Sequence, residues 1–150
     1  MKVQWTWLEE LVTLPLSPEA LADRLTMTGT EVEALESPCG AARGIRVGRI
    51  RSWEHHPQKG TLRVARVDLG GPEVSVVTGA ANAEAGQLYP YAPPGARLAD
   101  GTEMGSRDFD GISSEGMLLS AAELGLEGLD DEGGLLRLPE DAPAGEDFLA

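Results

Sequence analysis

From Ile45 onward no stretch of alternating apolar and polar residues runs longer than about nine positions before Gly or Pro cuts it. Ile45–Trp53 alternates and then gives way to His55-His56-Pro57-Gln58-Lys59-Gly60. Leu62–Leu69 alternates and ends at Gly70-Gly71. Val74–Val77, Leu88–Ala92 and Ile112–Leu119 follow, each with turn residues beside it. A period of two marks strands with one buried face, and this punctuation limits them to short ones. The 19 Gly and 10 Pro suit such an architecture better than a helical one. Five short strands with Gly/Pro turns predict a small closed barrel, and the oligonucleotide/oligosaccharide-binding (OB) type is the economical choice. A phase slip that brings Ile50 inward predicts a bulge near Gly48. Ser120-Ala121-Ala122-Glu123 reads as a capping box opening a short helix, Ala121–Leu126. An acidic Gly-rich loop, Gly128–Gly134, and a last strand, Leu135–Pro139, complete the barrel.

The first 38 residues have a different texture. Trp5, Leu8, Leu11 and Val12 share one helical face in a segment running to Leu14, before Pro15. Ser17-Pro18-Glu19 combines an N-cap, a proline at the first helical position and an acid at the positive dipole end. Leu16 and Leu21 form the staple pair, and Gly29 permits a left-handed stop. Thr30–Leu35 alternates and predicts a strand. The chain thus divides into a helix–helix–strand appendage, residues 1–38, and a barrel domain, residues 39–150. The fold class is mainly β with short helices. The appendage is too small to be stable unless it packs on something.

Charge is unevenly placed. The net charge is -13, which argues against bulk affinity for phosphate. Yet Arg43, Arg46, Arg49, Arg51, Lys59, Arg63 and Arg66 face only Glu54 within residues 43–66. That basic segment is a candidate electrostatic footprint for nucleic acid, and equally a pair of strands whose outer positions face water. Trp53, Tyr89, Tyr91 and Phe109 are the only aromatic residues of this region before residue 148, and some must fill the core.

Catalytic and metal constellations fail on spacing or partners. His55 and His56 are adjacent, so on a strand they point oppositely, and no Cys or third His completes a metal site. One imidazole capping the turn and the other facing solvent is the alternative. Asp130-Asp131-Glu132 lacks calcium-loop spacing, Gly70-Gly71-Pro72 and Gly133-Gly134 lack phosphate-loop spacing, and Ser114-Glu115-Gly116-Met117 lacks a hydrolase elbow. Cys39 alone excludes an internal disulfide, reads as an incidental thiol, and fits a reducing cytoplasm. No apolar run is long enough to span a bilayer.

Motif blocks carry a family resemblance. His56-Pro57, Leu62-x-Val64, Val67-Asp68-x-Gly70, Val77-Thr78-Gly79-Ala80-x-Asn82, Pro94-Gly95, Gly111 and Ser114-Glu115-Gly116-Met117-x-x-Ser120 resemble the tRNA-binding domain shared by synthetase appendages and free-standing tRNA-binding proteins. Trp5-x-Trp7-Leu8, Leu21–Leu25, Thr28-Gly29-x-Glu31-Val32, Glu123-Leu124-Gly125-Leu126 and Leu138–Pro143 with Gly145 resemble the amino-terminal region of the bacterial phenylalanyl-tRNA synthetase β subunit. The loop Gln58-Lys59-Gly60-Thr61 departs from the usual pattern of that family. The resemblance implies a non-catalytic part of an (αβ)₂ enzyme, with no cofactor of its own, ATP and Mg²⁺ serving the full enzyme, and tRNA, the α subunit and the rest of the β subunit as partners. Together with the basic segment, it gives the expectation of tRNA contact through Arg49, Arg51, Lys59, Arg63 and Arg66, aided by Asn82 and Ser114. The expectation is a mixture of tRNA contact and docking between subunits and domains, with docking the stronger half; the competing ones are a docking module without autonomous RNA binding and a free-standing tRNA-binding protein.

Overall fold

A computed structural model describes residues 1–126 and 134–149. The chain falls into two compact units, Met1–Ser37 and Pro38–Ala150. Residues 128–133 of the expected acidic loop, with the Asp130-Asp131-Glu132 cluster, lie outside the described residues.

In the first unit, α1 spans Trp5–Leu11 and α2 spans Pro18–Met27. The first helix ends earlier than its apolar pattern suggests. Val12 is already extended, because β-branched Val12 and Thr13 and the position before Pro15 all disfavour helix. The second follows its signals: Ala20 N–H donates to Ser17 Oγ at 3.3 Å. At its end Gly29 has φ 99°, its N–H reaches Thr26 O, and Thr30 N–H reaches Leu25 O. This bonding pattern satisfies the last carbonyls of the helix. The strand expected over Thr30–Leu35 does not form. A strand needs a ladder partner, and this unit has none.

The second unit is built on β1 (Arg46–His55), β2 (Arg63–Asp68), β3 (Glu73–Thr78), β4 (Leu88–Ala92) and β7 (Met117–Leu118). They form one curled antiparallel sheet in the order β3-β2-β1-β4-β7, an OB-like half-barrel. A separate hairpin joins β5 (Arg107–Phe109) to β6 (Ile112–Ser114). Strand β1 pairs with β4 through Arg46–Arg49 and with β2 through Arg49–His55, so the sheet curls about its middle. The bulge lies at Arg51, between Ile50↔Val67 and Ser52↔Arg66, rather than near Gly48. Gly48 stays in register opposite Tyr89. Its task is steric, since a Cβ there would sit 2.6 Å from Val67 Cγ1.

The inner face packs Ile50, Ala65, Val67, Val76, Tyr89 and Tyr91, all essentially inaccessible, with Leu118 and Leu135. A second cluster gathers Ile45, Leu98, Leu119 and Leu124 under the carboxy-terminal segment. That segment lies along the start of β1: Val47 N–H donates to Glu146 O and Phe148 N–H to Ile45 O. The expected strand over Leu135–Pro139 reduces to isolated bridges, Ser120↔Leu135 and Leu88↔Leu138. The expected fifth strand over Ile112–Leu119 is two strands, broken where Gly116 takes φ 93°. The capping box does form. Ser120 N–H donates to Glu123 Oε2 and Glu123 N–H to Ser120 Oγ, but only a 3₁₀ turn, Ala122–Leu124, follows before left-handed Gly125.

The sheet approaches closure through Ser114-Glu115-Gly116. Glu115 N–H donates to Ser75 O on β3 at 2.9 Å. Ser114 Oγ accepts from Val77 N–H and donates to Gly116 O, both at 3.0 Å. The Tyr91 hydroxyl donates to Glu115 O. Burial, assisted by the nearby Glu115 carboxylate, pushes the Tyr91 phenol up to about 12, so it remains a donor throughout the physiological range.

Candidate nucleic-acid interface

The bulge at Arg51 sorts the side chains of β1 and β2. Beyond it Trp53 pairs with core residue Ala65 and faces inward, while Ser52, opposite Arg66, and Glu54, opposite Val64, face out. A shallow groove of about 250 Å³ lies there, lined by Ser52, Trp53, Glu54, Val64 and Arg66. Arg66 is exposed, and among the described residues its guanidinium has no ion pair or hydrogen bond. Its neighbour along the same face of β2 is Asp68, about 7 Å away at the rise of two strand residues. Asp68 Oδ2 accepts from Arg51 Nη2 at 2.5 Å, and its Oδ1 accepts from Gly70 and Gly71 N–H. The Gly71 amide, with lesser help from Arg51 and Gly70, holds the Asp68 carboxyl below the usual carboxylate range against the opposing effect of burial. Asp68 therefore stays ionised and fixes Arg51 on the same outer face as Arg66. Arg49 stands at the rim, its Nη1 donating to Gly86 O at 3.1 Å.

Other residues expected at an RNA surface have structural tasks. Arg63 stacks over Trp53, 4.0 Å from the ring centroid, and donates to Ala81 O and Ala83 O, tying the loop after β3 to β2. Lys59 pairs with Asp110 at 3.0 Å, both half exposed. The Asn82 side chain acts as a strand surrogate, donating to Leu135 O and accepting from Leu135 N–H, both at 2.9 Å. Ser114 is 2% exposed with donor and acceptor both used. The structure thus brings Arg49, Arg51 and Arg66 together on one face, and turns Arg63, Asn82 and Ser114 to holding the barrel.

The histidines divide as the alternative reading has it. His56 Nδ1 accepts from Gln58 and Lys59 N–H, at 3.2 and 3.1 Å. Its Nε2 lies 2.7 Å from Phe109 O and must therefore carry the proton, which fixes the neutral Nε2–H tautomer. His55 is exposed and meets the Trp53 ring edge-on, with centroids 5.2 Å apart. Among the described residues no group of three His, Cys, Asp or Glu is placed to hold a metal ion. Burial pushes the Cys39 thiol up, away from the reactive thiolate.

The residues that sequence reasoning missed are Ser52, Glu54 and Asp68. The alternation past the bulge placed them on one face with Arg66, but only the position of the extra residue says which face. That position is not readable from apolar pattern alone.

Residues 45–147, which contain this face and the whole sheet, match the family described as "Putative tRNA binding domain". The chain belongs to the tRNA-binding domain family. It is also 44% identical over 140 residues to the phenylalanine–tRNA ligase β subunit of Symbiobacterium thermophilum, covering 93% of this chain and 16% of that protein. It is 46% identical over 148 residues to the protein of the same description from Aromatoleum aromaticum, covering 96% of this chain and 18% of the relative. The chain therefore spans less than a fifth of the length of these relatives. Among solved structures, a MetRS-related protein from Pyrococcus horikoshii is similar with TM-score 0.48 and 25% identity, over 67% of this chain and 84% of that one. Among the described residues no helix is long and apolar enough to cross a membrane.

Proposed function

We propose that this tRNA-binding-family barrel contacts tRNA through the outer face of β1 and β2, as a non-catalytic part of a phenylalanine–tRNA ligase β subunit. The observation that carries the reading is the exposed Arg66 guanidinium, without an ion pair or hydrogen bond among the described residues, beside an Arg51 held in place by Asp68. Arg51 on β1, held by Asp68, and Arg66 two residues before that aspartate on β2 present cations on one face of the sheet, a surface suited to the phosphates of a nucleic-acid strand. The surrounding acidity keeps the contact weak and dependent on salt. Replacing both Arg51 and Arg66 by Ala is expected to weaken tRNA binding. It should also reduce the slope of log K against log salt by about one for each phosphate that is no longer neutralised. An unchanged slope in a filter-binding titration would remove these residues from the interface. ATP and Mg²⁺ are assigned to the longer enzyme, and no step here depends on them.

A second reading concerns the first unit. Neither α1 nor α2 has a buried residue, and Trp7, Leu11 and Met27 are 58%, 80% and 87% exposed. Apolar area left in water forfeits roughly 25 cal/mol per Å², so this surface favours docking onto the remainder of the synthetase. Trp7 should then be quenched by acrylamide in the 150-residue chain and shielded in the assembled enzyme. Equal quenching in both states would rule the docking out.

A further inference from the structure

We propose that the groove between β1 and β2 holds a ribose–phosphate unit and selects ribose over deoxyribose, with Arg66 at the phosphate and Ser52 and Glu54 at the 2′-hydroxyl. The inference rests on the tRNA-contact reading and specifies how that contact is made.

The groove has walls of opposite character. Arg66 stands opposite Ser52 and Glu54 opposite Val64, so Glu54 and Arg66 are diagonal neighbours on one face. Diagonal side chains lie about 7–8 Å apart, within reach for two long charged residues. Yet among the described residues neither makes an ion pair, and the groove opens between them. Such a gap fits a ligand that needs a donor fork on one side and an acceptor on the other. Arg66 offers only donors, ionised Glu54 only acceptors, and the Ser52 hydroxyl both. A phosphodiester alone matches one wall. A phosphodiester whose sugar carries a hydroxyl donor matches both.

The aromatic residues point the same way. Reading single-stranded bases requires rings on which they can stack. Tyr89 and Tyr91 are fully buried, Trp53 lines the groove but is only part-exposed, packed on the core with Arg63 over its ring, and Phe109 is only part-exposed, in the hairpin tied down by His56. With the one aromatic ring in the groove lining already stacked on by Arg63, recognition falls to the sugar–phosphate backbone. The 2′-hydroxyl is the group by which a protein distinguishes RNA from DNA there. A carboxylate beside a phosphate is repulsive unless that hydroxyl intervenes, so Glu54 also acts against deoxyribose.

The test compares binding of the 150-residue chain to an RNA hairpin and a DNA hairpin of the same sequence at low salt, read by fluorescence anisotropy. The wild-type chain should favour RNA by about tenfold, the worth of one charge-assisted hydrogen bond. Glu54→Ala, at an exposed position, should bring the two within about twofold, chiefly by tighter DNA binding, while Arg66→Ala should weaken both. Glu54→Gln keeps an acceptor and should keep part of the preference. A full RNA preference in Glu54→Ala would overturn the assignment. If the wild-type chain binds RNA and DNA equally and Arg66→Ala weakens both, ribose selection fails while the tRNA contact stands. If neither hairpin binds, the tRNA contact itself fails, and ribose selection with it.

Discussion

Gly116→Ala is expected to cost the second unit at least about 3 kcal/mol, a large fraction of the roughly 5–15 kcal/mol typical of a domain. Two effects add. Gly116 sits at φ 93°, a region that costs a residue with a Cβ about 1–2 kcal/mol. More severely, that Cβ would lie 2.1 Å from Ala92 O and 3.0 Å from Tyr91 Cε2. The backbone of β4 cannot yield without losing the Ala92↔Met117 and Tyr91↔Leu118 pairs. The neighbouring bonds of Ser114, Glu115 and Tyr91 are those that join β3 to the far edge of the sheet, so the damage reaches the closure. Gly95→Ala separates the two effects. Gly95 has φ 90° but nothing within 4 Å of a Cβ, and should lose only the conformational part. Urea unfolding of both variants checks this. Equal losses at 116 and 95 would show that close approach contributes nothing at the seam.

That seam shows why a motif can be legible while its task is not. Ser114-Glu115-Gly116-Met117 stands out in the sequence, and its serine invites a functional reading. Its hydroxyl is spent on Val77 N–H and Gly116 O instead. Asn82 is similar, a polar loop residue whose amide replaces a stretch of strand ladder. Local chemistry was readable where its partners are near in sequence: the Ser17 cap, the Ser120–Glu123 box, the alternation of β1 and β2. It was unreadable where partners lie far away, as Asn82 and Leu135 or Ser114 and Val77 do. The strand expected over Thr30–Leu35 failed for a related reason, since alternation records a preference for pairing and supplies no partner. The β5–β6 hairpin was missed although Asp110-Gly111 is a strong turn signal, because three-residue strands give too short a pattern to count. At the interface, the sequence located the basic segment but not which cations remain available. Counterparts such as Asp110 and the Ala81 and Ala83 carbonyls decide that.

His56→Ala is expected to destabilise the second unit by about 2–4 kcal/mol, more than the exposed residues around it in the turn would suggest. The ring is 2% exposed and joins three backbone groups: two amides of its own turn and the Phe109 carbonyl of the β5–β6 hairpin. Deleting it removes all three bonds, each worth about 0.5–1.5 kcal/mol net, less whatever water can recover at the exposed turn. The other link between turn and hairpin, Lys59–Asp110, is half exposed on both sides and contributes at most about 1 kcal/mol. The imidazole therefore holds the β5 end of the hairpin to the turn, while β6 is tied separately to β3 through Ser114. Conservative variants divide the role by geometry. The Asn amide oxygen falls near the position of Nδ1, so His56→Asn should keep the turn and release the hairpin. The Gln amide nitrogen falls near Nε2, so His56→Gln should do the reverse. Each should lose roughly half of what alanine loses. Hydrogen exchange would tell them apart, with faster exchange at Arg107–Ser114 for Asn and at Gln58 and Lys59 for Gln. An alanine variant within about 0.5 kcal/mol of wild type, the ordinary range of a surface substitution, would mean that water replaces the ring at all three positions.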